Sequence, residues 1–182
     1  MGEAARPSLR RPDERSARQI FGRYMTTSLP LDPGEVESLG GGDRQKAVDS
    51  MIESCVTEMY RTAEDTKFLE VTYQNGDKEI MYFKDFSSGA MIENIVRRAK
   101  KLSIKRQIAG AGKGIKGSDL IESTHQEFKE QEDLPNTTNP DDWAKISGKK
   151  GERIVYIRTL VHKDDAPVGG RAIERVGTGQ YL

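Results

Sequence analysis

Apolar positions along this chain switch between a helical and a strand-like period. Ala17, Ile20, Phe21 and Tyr24 recur at helical spacing. Pro12, Asp13 and Glu14 predict the start of that helix, since proline suits a first turn and acids suit the positive dipole end. Pro30, Pro33 and Gly34 break the pattern, and Gly40, Gly41 and Gly42 mark a loop. The next stripe is the most continuous: Ala47, Val48, Met51, Ile52, Cys55, Val56, Met59 and Tyr60, with Asp43 placed to cap its start. The period then changes. Phe68–Tyr73 and Glu79–Phe83 are β-rich runs around Gln74-Asn75-Gly76-Asp77. Asn-Gly tolerates positive φ, so a hairpin with a type I′ turn is predicted.

Ser87-Ser88-Gly89-Ala90 opens another helix, with Met91, Ile92, Ile95, Val96, Ala99 and Leu102 as its inner stripe. Arg97, Arg98, Lys100 and Lys101 crowd its second half and read as a solvated face. Gly110, Gly112, Gly114 and Gly117 predict a flexible loop. Ser118 is placed to cap a further helix carrying Leu120, Ile121, Thr124 and Phe128. Pro135 and Pro140 end it, and Asp141–Ala144 fits one short turn. Ile154–Ile157 and Leu160-Val161 read as a third strand, and residues 163–182 as a polar, flexible tail. No internal repeat is present.

Composition narrows the class. The 182 residues are 35% hydrophobic and 32% charged, so any core is modest. Lys+Arg and Asp+Glu are both 29, which disfavours a dedicated nucleic-acid binder. No apolar run approaches the roughly 20 residues that span a bilayer. Met1–Pro12 has no apolar signal core. The one cysteine, Cys55, cannot form an internal disulfide and lies in an apolar stripe, so it reads as a core residue in a cytoplasmic protein.

Recognisable catalytic motifs are missing. A P-loop needs G-x-x-x-x-G-K-[ST], in which glycines shape an amide nest and the hydroxyl binds magnesium. Gly112-Lys113 is followed by Gly114 and preceded five residues earlier by Gln107; Gly148-Lys149 is followed by Lys150. His125 and His162 have no partner at metal-ligand spacing. His125 is expected on an ordinary helix surface. No catalysis, metal site or cofactor is expected of this chain by itself.

Three segments carry a resemblance: FLEVTYQNGDKEIMYFKDFSSGAMI from Phe68 to Ile92, DLPNTTNPDDWAKISGKKGERIVYIRTLV from Asp133 to Val161, and Gly179-Gln180-Tyr181-Leu182. Together they resemble the C-terminal region of the ARC/Mpa family of actinobacterial proteasomal AAA ATPases, with a looser match from Pro12 to Thr66. The resemblance implies a portion of a homohexameric ring ATPase that unfolds substrates tagged with the prokaryotic ubiquitin-like modifier Pup and threads them into the 20S proteasome. The P-loop, the tag-binding coiled coil and the OB domains would lie outside this sequence, and ATP and Mg would belong to the complete enzyme.

The expected architecture is α+β: an AAA helical lid, an inserted small β-grasp-like sheet and a flexible C-terminal tail. Residues 1–11 form a flexible start, 12–66 and 86–133 the lid, 67–85 and 147–162 the sheet, and 163–182 the tail. By the resemblance, Ser88, Gly89 and Ala90 lie near nucleotide in the complete enzyme, although Met91 stands where many relatives carry an acid. Gly179, Gln180, Tyr181 and Leu182 resemble a docking motif for pockets of the 20S proteasome α-ring. Tyr181 offers an amphipathic ring and Leu182 a carboxylate for a pocket lysine. The 21 residues after Val161 would span about 25 Å if flexible. Two rival readings are a free-standing β-grasp interaction module and an RNA-binding adaptor using Lys149, Lys150, Arg153 and the basic helix that opens at Ser88; zero net charge disfavours the second. No membrane partner is expected.

Overall fold

The structure, a computed structural model, describes residues 11–131, 154–160 and 170–172. The expected turn at Asp141–Ala144 and the motif Gly179–Leu182 lie outside the described residues. The described chain divides into two compact units. One runs to Arg61 and resumes at Lys84–Glu127; the other holds Thr62–Phe83 and the described residues from Phe128 onward.

The helical unit contains α1 (Glu14–Tyr24), α2 (Pro33–Gly40), α3 (Arg44–Tyr60), α4 (Gly89–Ile108) and most of α5 (Gly117–Glu130). α1 starts two residues later than a proline in the first turn would put it. Asp13 is its N-cap, accepting from Ser16 N at 2.7 Å, so Pro12 stands before the cap rather than in the first turn. α3 begins where Asp43 takes the amides of Gln45 and Lys46. Its stripe Ala47, Val48, Met51, Ile52, Cys55, Val56 and Met59 is buried and forms one core with Ala17, Phe21, Ile92, Ile95, Val96, Ala99, Ile115 and Leu120.

Several expectations are corrected. Pro33 does not break structure; it occupies the first turn of α2, where a missing N–H costs nothing, and Asp32 caps that helix through Glu35 N. In α4 the inner stripe continues through Ser103, which is buried, whereas Leu102 is only partly covered. Ser118 does not cap α5. It is exposed in the first turn, and Asp119 accepts from Lys116 N instead.

The glycine loop between α4 and α5 is not loose. Leu31 and Ile115 form a parallel bridge, with Asp32 N donating to Ile115 O at 3.0 Å and Ile115 N to Pro30 O at 2.8 Å. Gly114 makes this crossing possible. Its φ is +89°, and a Cβ there would stand 2.3 Å from the Leu31 carbonyl carbon.

The second unit is a sheet in the order β2-β1-β3-β4, with every pair antiparallel: β1 (Lys67–Tyr73), β2 (Lys78–Tyr82), β3 (Ile154–Thr159) and β4 (Gly170–Ala172). One face carries Leu69, Val71 and Tyr73, with Met81 opposite Leu69, Ile157 opposite Val71 and Ile154 opposite Tyr73, all buried. A bulge between Lys67 and Leu69 lets the consecutive Phe68 and Leu69 both be buried. Phe83 does not extend β2 but starts a 3-10 turn, Phe83–Phe86; its ring stacks on Phe128 at 4.1 Å, and Phe68 meets both rings edge-on. β4 falls inside the stretch expected to be a flexible tail. It pairs the outer edge of β3, whose peptide groups need partners.

The hairpin forms with a different turn from the one predicted. Tyr73 N donates to Asp77 O at 2.8 Å and Gly76 N to Tyr73 O at 2.9 Å, so three residues lie between the paired ones. Gly76 has φ +92°, and Asn75 spends its side-chain oxygen on Asp77 N. A two-residue Asn-Gly turn would pair Gln74 with Asp77, shifting register by one and moving Met81 off the buried face.

Candidate functional site

Ser88, Gly89 and Ala90 form the opening of α4. Ser88 is extended, with φ −144° and ψ 162°, and its Oγ accepts from Met91 N at 3.2 Å. Its carbonyl takes Ile92 N at 3.2 Å. Those two bonds use the third and fourth amides of the turn. Nothing among the described residues accepts from the N–H of Gly89 or Ala90. A Cβ on Gly89 would meet only Ile20 Cδ1, at 4.0 Å. Two amides with positive dipole behind them suit a contact with a phosphate or a sugar hydroxyl, not a complete nucleotide site.

The glycine loop is a different case. Ile115 N, Lys116 N and Gly117 N are consecutive, and each already donates to a protein oxygen: Pro30 O, Asp119 Oδ2 at 2.8 Å and Glu35 Oε2 at 2.6 Å. Two of these acceptors are carboxylates. Their negative charge stands where a phosphate would have to come, so the loop is a structural crossing rather than a phosphate cradle. Arg106 completes it by binding Asp119 through two nitrogens and donating to Gly114 O at 2.7 Å.

The remaining reactive side chains have structural partners. Burial pushes the Cys55 thiol up to about 12, and its sulfur lies 3.3 Å from Thr124 Oγ1. A thiol so protonated is no nucleophile. His125 is not on an idle surface: its Nε2 lies 2.8 Å from Glu58 Oε1, and Glu58 also binds Arg61 at 2.7 Å. The Arg61 hydrogen bond, with help from His125, holds the Glu58 carboxyl below its ordinary range. Arg98, expected on a solvated face, reaches the buried Glu127 at 3.0 Å. Among the described residues no helix is long and apolar enough to cross a membrane.

Sequence reasoning found Ser88 by its capping pattern but missed the roles of Arg106, Asp119 and Gly114. Lys116-Gly117-Ser118-Asp119 holds a hint, since an acid in the first turn competes with serine for the free amides.

Residues 12–181 match the family model described as ARC, AAA+ ATPase lid domain. The chain belongs to that family. Over 174 residues it is 67% identical to a proteasome-associated ATPase of Acidimicrobium ferrooxidans, covering 96% of this chain and 30% of the relative. Proteasome-associated ATPases of Streptomyces avermitilis and Kribbella flavida are 57% and 56% identical over 175 residues, again 96% of this chain and 30% of each relative. The chain thus spans about a third of the length of these relatives. Within the ARC lid family, the α+β arrangement of helices with a small antiparallel sheet is this chain's own geometry.

Proposed function

We propose that this chain is the lid portion of a homohexameric proteasome-associated AAA+ ATPase, which unfolds Pup-tagged proteins and feeds them to the 20S proteasome in the cytoplasm. The match to the lid family across residues 12–181, through Tyr181, carries this reading. The relatives' shared name, proteasome-associated ATPase, supports the partner. In this reading the sheet is a β-grasp-like element that braces the ring, and Ser88, Gly89 and Ala90 approach nucleotide through the amide end of α4. ATP and Mg are held by the rest of the enzyme, because the chain has no P-loop.

Gly179-Gln180-Tyr181-Leu182 docks on the proteasome α-ring, the Tyr181 ring filling a pocket between subunits. One tail binds weakly, on the order of 10–100 μM. Six on a ring gain roughly 10²–10⁴ in avidity. The test fuses this chain to a hexameric scaffold and measures binding to proteasome core. Removal of Tyr181-Leu182, or addition of one residue after Leu182, is expected to abolish binding. Undiminished binding after both edits overturns the docking role.

A further inference from the structure

The last turn of α4 runs past the core of the helical unit. The buried stripe of the helix ends at Ser103, and Ile104, Lys105, Gln107 and Ile108 are exposed. Four large apolar side chains are exposed among the described residues, and the two most exposed are neighbours here: Ile104 at 57% and Ile108 at 82%. A spacing of four puts them on one ridge, and Lys101 and Lys105, each three residues before one of them, share that face. The turn is held in place. Ala109 N donates to Lys105 O and Ala111 N to Arg106 O, both at 3.0 Å, while Arg106 ties the same turn to Asp119 and Gly114 O. A partner meets an apolar ridge that is already ordered.

The charge around the ridge has one sign. No Asp or Glu stands between Glu93 and Asp119. Arg98 pairs with Glu127, Arg106 with Asp119, and Lys116 lies 3.8 Å from Asp32. Lys101 and Lys105 are exposed and have no acid at ion-pair distance among the described residues. Single exposed apolar residues and solvated lysines are ordinary on a protein surface. An ordered pair of isoleucines inside a purely cationic stretch is a different pattern. Its apolar area gains by leaving water, and its charge selects what covers it. Two isoleucines make too narrow a face to hold a bilayer. No aromatic ring lies between Phe86 and Phe128 to stack on bases. A helix with an apolar ridge between carboxylates complements both features.

We propose that Ile104 and Ile108 form a docking ridge for an acid-flanked apolar helix, selected by the charges of Lys101 and Lys105. This chain covers 30% of its Acidimicrobium ferrooxidans relative, and the partner helix belongs to the remainder of the ATPase. That source rests on the lid reading proposed above.

Thiol labelling of Ile108→Cys, in the complete ATPase and in this chain alone, tests the ridge, with the label at residue 108 read by peptide mass spectrometry. Cys55 is fully buried and does not compete in this chain. Labelling is expected to be slower in the complete ATPase by roughly tenfold or more. Lys101→Glu and Lys105→Glu together are expected to return it to the rate of the chain alone. Ile104→Cys repeats the measurement with Ile108 intact. Slower labelling at either position supports the ridge, and equal rates at both overturn it. Protection that survives the two charge reversals overturns the acidic partner. Protection of the chain alone by polyuridine or by phosphatidylglycerol vesicles overturns the protein partner. Ring assembly and ATP turnover of the same preparation report on the lid reading separately. A ring that hydrolyses ATP while both positions label freely overturns the ridge and leaves that reading intact. A preparation that neither assembles nor hydrolyses ATP overturns the reading and the partner's source with it.

Discussion

Arg106 closes its guanidinium on both oxygens of Asp119, with Nη1 2.7 Å from Oδ1 and Nη2 2.6 Å from Oδ2. The pair joins the end of α4 to the first turn of α5 across the glycine loop, and the same guanidinium holds Gly114 O. Asp119 also takes Lys116 N, so one carboxylate satisfies three donors.

Removing that carboxylate leaves a largely covered cation and an orphaned loop amide. Asp119→Ala is expected to destabilise the fold by about 2–3 kcal/mol. Arg106→Lys is expected to cost less, since a lysine keeps the charge but loses the two-pronged geometry. Urea unfolding of the two variants beside the parent measures both, and an Asp119→Ala midpoint equal to the parent's contradicts the role given to the pair.

Gly114 offers a sharper case. A Cβ would lie 2.3 Å from Leu31 C and 2.4 Å from Asp32 N and Leu31 O, all of them backbone atoms that cannot swing aside, and φ is +89°. Gly114→Ala is expected to open the Leu31–Ile115 bridge and cost more than about 3 kcal/mol. Gly110→Ala, with φ +70° but nothing within 4 Å, is expected to cost only about 1 kcal/mol. Thermal melts that rank the two equally would show that the crossing is not close-packed.

These positions also show what a linear reading can and cannot reach. The α3 stripe, the Asp43 cap and the Ser88 cap were legible because each is a local pattern in which spacing decides which side is buried. α2 is not, because Pro33 reads as a breaker although the same residue fits a first turn, and the Asp32 cap distinguishes the two. The glycine loop misled for another reason. Glycine is equally at home in a loose segment and at a backbone crossing, and Leu31 lies too far away in sequence to signal which. At the candidate site, the Ser88 cap can be read directly, whereas the bond from Tyr60 to the Pro12 carbonyl depends on how two distant segments pack.

Cys55 gives a pH prediction. Burial raises the folded thiol to about 12 from an ordinary value of 9.0. Because the folded value is the higher one, the unfolded chain loses its proton first. The stability is fully present below pH 9 and is lost as pH rises toward 12. The slope approaches about 1.4 kcal/mol per pH unit in that window. Other groups titrate there too, so the comparison is with Cys55→Ala. Its stability is expected to lie below the parent's at pH 8 and to draw level as pH rises through 10. A gap that stays constant over that range would mean that the thiol ionises equally in both states.

The stacked rings of Phe83 and Phe128 set the last test, on the sheet unit. Their centroids are 4.1 Å apart with planes 1° from parallel, and Phe68 meets Phe128 edge-on at 5.8 Å. All three side chains are buried. Phe128→Ala removes the ring that the other two share and leaves a cavity at its centre, at a cost of about 3–5 kcal/mol. Phe128→Leu keeps most of the volume and loses the aromatic geometry, so about 1–2 kcal/mol is expected. Phe68 belongs to β1, which pairs with both β2 and β3, so loosening is expected to reach the amides of both partners. Amide exchange at Met81 and Ile157 is the measurement. A Phe128→Ala variant that leaves both amides as protected as in the parent would show that the sheet stands without the aromatic cluster.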